Sequence, residues 1–244
     1  MAASGGAAAS GGTAQRGQLS REKVLRAAVA LADHSGLEAI SMRKLAQALG
    51  VVPMALYKHV ANKDELLAGL VDAVLAEIEP AQEGPDWVAN VRRRILSARA
   101  VMLRHPWARR VMEAQAAPTP VVLAYMDSTI GMFLAGGLSV DLVHHVMHAL
   151  GSRIFGFTQE LYETDPASAS ELPPEAAAAM AAAFPGIVAV ASSRPHDPDS
   201  VVGSGCDDQF EFEFGIDLML AGVERLHRSG WRSADHDREA ASVL

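Results

Sequence analysis

The chain has one cysteine, Cys206, so an intrachain disulfide is excluded and no cysteine-rich zinc site can form. No apolar run approaches the roughly 18 residues that a membrane-spanning helix requires. The first fifteen residues, MAASGGAAASGGTAQ, lack the bulky apolar stretch of a secretory signal, and 1–17 are expected to form a disordered tail. Aromatic residues make up only 5% of the chain. Alternation of β-branched residues is scarce, which argues against sheets. There is no nucleophile elbow, no P-loop and no dinucleotide fingerprint. What remains is an alanine-rich chain of 244 residues, 50% apolar and 20% charged, long enough for one or two domains with a sizeable core. The expected class is all-α, and the expected location is the cytoplasm.

A net charge of −8 is unpromising for nucleic-acid binding, but the charge is segregated. Residues 16–63 hold eight Lys or Arg against three acids, a balance of +5, so the rest of the chain carries −13. A small basic head on an acidic body is the electrostatic footprint of a DNA reader.

The basic stretch also has a distinctive layout. In SMRKLAQALGVVPMALYKHVANKD, residues 41–64, Ser41 can cap a helix that ends at Gly50, and Pro53 suits the first turn of a second helix over 53–59. Asn62 and Glu65 resemble a capping box that opens a further helix through Leu66, Leu70, Val74 and Ile78 to Pro80. A preceding helix spans Ser20 to Ser35 and stops at Gly36. Two short helices about a tight turn, flanked by supporting helices, make a helix-turn-helix. Leu45, Leu49, Val52, Leu56 and Val60 are expected in its core. Arg43 can reach a phosphate or a guanine edge, and Ser41 can touch phosphate while capping. The N-terminus of the 53–59 helix offers free N–H groups to a phosphate.

Further helices are expected over 87–104, from Pro106 through Met112, over 121–135 and over 140–162. A loop-rich segment from 163 to 206 contains a short helix at 176–184, and a last long helix covers 207–229. The 140–162 helix is apolar nearly all round and is expected to be buried on more than one side. The last helix carries two apolar stripes, Phe210–Phe214–Leu218–Ala221 and Phe212–Ile216–Met219–Val223. Two stripes imply packing inside the domain and against a second copy, which makes Phe210, Phe212, Phe214, Leu218 and Met219 dimerisation candidates.

The segment SMRKLAQALGVVPMALYKHVANKDELL resembles the DNA-binding signature of the TetR family of bacterial transcriptional repressors, and FEFGIDLMLAGVERL resembles the last dimerisation helix of the tetracycline-repressor subgroup. The resemblance implies a helix-turn-helix domain at 18–64, a connecting helix at 65–80, a helical ligand-binding and dimerisation domain at 81–230 and a flexible tail at 231–244. It implies that Tyr57 and His59 hydrogen-bond phosphates, with Lys63 a further backbone contact. Base reading then falls to Pro53, Met54, Ala55 and Lys58 with Arg43; Lys58 can address guanine, and Met54 and Ala55 can only make apolar contacts. Relatives carry polar side chains there, so no relative's operator transfers. The implied partners are double-stranded operator DNA, a second copy of the chain and a small hydrophobic or antibiotic-like inducer.

Trp107, Met112, Tyr125, Phe133, His144, Met147, His148, Ser152 and Phe155 are the candidates for lining a ligand pocket on the central helices. His144 and His148 stand four residues apart on one helix face, a spacing metal ligands use, but Asp141 is the only local carboxylate. No metal and no cofactor are expected. An activator or global regulator without inducer remains an alternative, as does a small-molecule enzyme with a vestigial head.

Overall fold

The computed structural model describes residues 18–82, 84–154, 173–191 and 208–235. Among these, every regular element is helical. The chain divides into two compact units between Leu70 and Val71, a point inside the fourth helix.

The first unit begins with α1 (Arg21–Ser35), capped by Ser20, whose side chain accepts the Lys23 N–H, and closed by Gly36 at φ 76°. A single 3₁₀ turn (Leu37–Ala39) leads to α2 (Met42–Leu49). Ser41 caps α2 by accepting the Lys44 N–H at 3.2 Å. Gly50 ends α2 in the left-handed region at φ 65°, ψ 33°, and its N–H satisfies the carbonyls of Ala46 and Gln47. A residue with a Cβ is strained there, which fixes glycine as the pivot of the turn. α3 (Pro53–Leu56) starts on its proline. Val24, Leu25, Ala28, Ala32, Ile40, Leu45, Ala46, Leu56, Val60, Leu66 and Leu70 form the core of this unit.

α3 is shorter than the 53–59 predicted. The α-helix stops at Leu56, and residues 57–59 continue as turns, with the Leu56 carbonyl accepting both the His59 N–H (2.8 Å) and the Val60 N–H (3.0 Å). One turn of helix has almost no macrodipole, so the proposed attraction of phosphate to its N-terminus loses its basis. Val52, expected in the core, is 68% exposed because it stands on the outside of the turn.

α4 (Lys63–Leu75) opens with the Asn62 side chain accepting the Glu65 N–H at 2.7 Å. The return bond of a capping box would go to the Asn62 N–H; here Glu65 instead accepts the Ala61 N–H, at 2.7 Å. α4 ends at Leu75, and turns carry the chain to Ile78.

The second unit contains α5 (Trp87–Arg104), α6 (Trp107–Ala114), α7 (Pro120–Ala135), α8 (Val140–Ile154), α9 (Pro174–Ala183), α10 (Pro185–Ala191) and α11 (Asp208–Arg228). α5 packs against α7, α8 and α11, and its stripe Val91, Ile95, Ala98, Val101, Met102 is buried. α11 is held to α5 by Arg92, whose Nε reaches Asp217 at 2.6 Å and whose Nη2 reaches Glu213 at 2.7 Å. Residues 231–235, expected to belong to a flexible tail, are instead fastened to α8: Ser233 donates its N–H and hydroxyl to Asp141 at 2.8 and 2.7 Å, and Trp231 meets the His145 ring edge-on at 5.4 Å. No helix among the described residues is long and apolar enough to cross a membrane.

Candidate nucleic-acid interface and ligand site

The α2–turn–α3 segment and the start of α4 present the first unit's candidate surface. Ser41, Arg43, Pro53, Met54, Tyr57, Lys58 and Lys63 are exposed, and Ala55 and His59 are half-buried. Leu56 and Val60, fully buried, hold the intervening backbone to the core, so the residues between and around them turn outward. Met54 is 72% exposed.

The state of the cations separates this surface from the rest of the unit. On α1, Arg26 pairs with Glu22 at 2.7 Å, Arg21 with Glu65 at 3.5 Å, and Lys23 Nζ donates to the Gln18 carbonyl at 2.8 Å. Arg43, Lys44, Lys58 and Lys63 form no ion pair among the described residues. Four uncompensated cations beside an exposed tyrosine and a half-buried histidine suit a polyanion, which supplies what the protein omits.

The ligand candidates do not gather in one place. His144, Met147 and His148 line a groove of about 420 Å³ with Met126, Ile130, Val140, Val143 and Gly151. The His144 and His148 rings lie 4.7 Å apart, centre to centre. A second groove, about 310 Å³, is bounded by Leu142, His145, Val146, Ala149, Val223, Leu226, Trp231 and Ser233. Trp107 and Phe133 belong to neither. Phe133 is fully buried against Trp87, 5.6 Å between ring centres, and Trp107 is buried beside His105; both are core. Met112 is half-buried on α6, away from both grooves. Phe155 and the side chain of Ser152 lie outside the described residues. α8 is also less buried than its composition suggests, since His144, His145, His148 and Val140 are exposed. No group of three or more His, Cys, Asp or Glu among the described residues is placed to hold a metal ion.

Tyr125 is buried, but in a polar cluster that the sequence pattern did not reveal. Arg94 on α5, 6% exposed, donates from Nε to Thr129 Oγ1 (3.1 Å), from Nη1 to the Glu79 carbonyl (3.1 Å) and from Nη2 to Ser128 Oγ (2.7 Å). Its guanidinium carbon stands 4.5 Å from the centre of the Tyr125 ring. Burial pulls the Arg94 pKa below the ordinary arginine value and pushes the Tyr125 phenol up to about 12. One signal was available: Arg94 falls in register with Val91, Ala98 and Val101 on the buried stripe of α5. The run Arg92-Arg93-Arg94 hides it by resembling a solvated charge cluster.

On α11, Phe214 and Leu218 are 56% and 64% exposed, and Phe210 stacks on Phe214 with ring centres 6.5 Å apart. Phe212 is not on this surface. It is 1% exposed, under the guanidinium of Arg99 at 4.3 Å, and belongs to the domain's own core with Ile216, Leu220 and Val223. Met219 is half-buried between the two faces.

Comparison with known proteins bears on the whole chain. Residues 24–70 match the family model described as bacterial regulatory proteins, tetR family, and residues 79–227 match the tetracyclin repressor-like C-terminal domain. The chain is 30% identical over 209 residues to an HTH-type transcriptional regulator of Saccharopolyspora erythraea, covering 84% of each. It is 30% identical over 216 residues to the HTH-type transcriptional repressor DrrR1 of Streptomyces coeruleorubidus, covering 85% of this chain and 78% of that one. Among solved structures it is similar to the Streptomyces coelicolor protein ActR in complex with actinorhodin, with a TM-score of 0.62, 27% identity, and coverage of 85% of this chain and 96% of that one.

Proposed function

Because the chain belongs to the TetR family of bacterial regulatory proteins, we propose that it is a homodimeric repressor that occupies an operator through α2 and α3 and leaves it when a small molecule binds the second unit. The observation that carries this reading is the set of four cations, Arg43, Lys44, Lys58 and Lys63, without an ion pair among the described residues, on a face that also exposes Tyr57 and Met54, in a chain that is acidic elsewhere. Arg43 and Lys58 read bases; Tyr57, His59 and Lys63 position the head on phosphates. Pro53, Met54 and Ala55 provide apolar contacts, for which thymine methyl groups are the matching chemistry.

Two copies are needed because a single α3 covers one half-site. The exposed ridge Phe210, Phe214, Leu218 on α11 supports pairing by a second copy, which gives a near-palindromic operator with half-sites about one helical turn, or a multiple, apart. The ligand is a small hydrophobic or antibiotic-like molecule. ActR was solved with actinorhodin bound, and a relative is named a repressor, which supports a ligand-released repressor here.

A ligand shifts the equilibrium only by its differential affinity for the two states, so coupling is reciprocal: operator DNA must weaken ligand binding by the factor by which ligand weakens operator binding. The test is fluorescence anisotropy with DNA from upstream of the chain's own gene, in rising salt and then with candidate compounds. Binding that falls steeply with salt and is abolished by a compound is the expected result. Salt-insensitive binding, or equal ligand affinity with and without operator, contradicts it.

A further inference from the structure

Arg94 and Arg99 are the two buried arginines among the described residues, and they differ from the other cations of α5. Arg92 grips Glu213 and Asp217, and Arg104 grips Glu77 at 2.8 Å. Arg94 has no carboxylate partner among the described residues. Its partners are the hydroxyls of Ser128 and Thr129, one carbonyl, and the ring and phenol of Tyr125, all neutral. The Tyr125 phenol does not supply the missing charge, since burial keeps it protonated through neutral pH. The two hydroxyls have their protons committed elsewhere: Ser128 and Thr129 both donate to the Tyr125 carbonyl, at 2.9 and 2.8 Å, so they turn lone pairs toward the guanidinium. The cluster is thus built to hold Arg94 in place without neutralising it.

A buried charge without a counter-charge is costly, and a site that keeps one is prepared for a partner that brings the opposite sign. The cluster also has a reachable side. The Nε bond to Thr129 is buried, whereas the Nη1 bond to Glu79 and the Nη2 bond to Ser128 are only partly so. The Nη edge is the fork that matches a planar oxyanion bidentately. The Tyr125 ring lies against the guanidinium, and Val91 and Ile95 of the α5 stripe are fully buried.

We propose that the Nη edge of Arg94, framed by Ser128 and Tyr125, is the subsite for an acidic oxygen of the ligand, so that the molecule sensed is a small apolar acid, a carboxylate or an acidic phenol on an aromatic body. The proposal rests on the ligand-responsive reading above and refines it from any hydrophobic compound to one of a single charge type. Arg94 also donates to the Glu79 carbonyl, just past the turns that end α4, so a ligand oxygen that draws the guanidinium acts on the same segment that receives α4.

The experiment uses the full chain and matched probe pairs: benzoate, 1-naphthoate and anthraquinone-2-carboxylate, each beside its neutral amide, at constant ionic strength, read by calorimetry and thermal shift. For at least one scaffold the carboxylate is expected to bind roughly ten- to a hundredfold tighter than the amide, the range of a charge-assisted pair. Arg94→Met is expected to erase that preference, so that acid and amide bind alike. Arg94→Lys keeps the charge but loses the fork, should retain part of the preference, and serves as the second variant if Arg94→Met fails to fold. Equal or undetectable binding of acid and amide across all three scaffolds overturns the subsite, as does a preference that survives both substitutions. Operator binding is measured separately on the unmodified chain. If it holds while the acid preference is absent, the subsite alone fails; if it is absent, the repressor reading fails.

Discussion

The Thr119 hydroxyl donates to Asp72 Oδ1 at 2.5 Å, while the same oxygen accepts the Val122 N–H at 3.2 Å. One side chain therefore caps α7 and ties α7 to α4. Thr119→Val removes both bonds and keeps the shape. A loss of about 1–2 kcal/mol is expected in urea denaturation, with Asp72→Asn costing less because an amide still accepts. Equal losses for the two variants would show that the cap contributes nothing.

Gly136 follows α7 and lies against Trp87, the first residue of α5: a Cβ there would stand 2.5 Å from the indole Cγ. Neither side can give way, because Trp87 is buried against Phe133. Gly136→Ala should cost roughly 1–3 kcal/mol by overpacking. Gly131, inside the same helix, is the control, because a Cβ added there would meet nothing within 4 Å. Gly131→Ala should stabilise by about 0.5–1 kcal/mol. Thermal melts of the two variants must move in opposite directions.

Lys58 and Lys63 both lack ion pairs among the described residues, but their expected roles differ. Lys63→Ala and Tyr57→Phe should weaken all DNA sequences alike, with Lys63→Ala lowering the magnitude of the salt slope by about 1. Lys58→Ala should relax preference at one base pair of each half-site, at a cost of about 1–3 kcal/mol. A binding-site profile of Lys58→Ala that matches the unmodified chain rules out base reading by this lysine.

Phe214→Glu and Leu218→Glu place carboxylates on the exposed ridge of α11 without entering the core. Sedimentation should show monomers for both, with helix content unchanged and operator affinity sharply reduced. A dimer that persists with both substitutions together removes α11 from the interface.

Tyr125 bears on pH dependence. Burial raises the phenol to about 12, and Arg94 only partly opposes this. A folded-state pKa above the unfolded value of about 10 favours the protonated form on folding. That stability is fully present below about pH 10 and is lost as pH rises toward about 12. Stability curves of the unmodified chain and of Tyr125→Phe should therefore fall differently between about pH 10 and 12, with the variant losing less. Parallel curves would mean that Tyr125 is not shielded from water.

Much of the fold was legible because local signals decide it. Ser20, Ser41, Gly36 and Gly50 act as caps where predicted, and α5 spans 87–104 as the pattern required. The Thr119 cap is harder to see because Pro118 and Pro120 dominate that stretch. The limits of reading were tertiary. Phe212 and Phe214 are neighbours of one type, and only the direction of the core separates them. Val52 looks apolar and lies outside because the glycine turn points it there. Trp107 and Phe133 suited a pocket by type and became core by position. Arg94 was hidden at the end of a charged run, and its lack of a counter-ion among the described residues is a fact of three-dimensional placement alone.

The clamp of Arg92 on Glu213 and Asp217 has one more effect. Its two acceptors sit one helical turn apart, so α11 cannot roll about its long axis without giving up a bond. The azimuth of the phenylalanine ridge is therefore dictated from the adjoining flank of the helix. A reversal of charge at Arg92 would leave every ridge residue in place in the sequence and still turn the proposed pairing face.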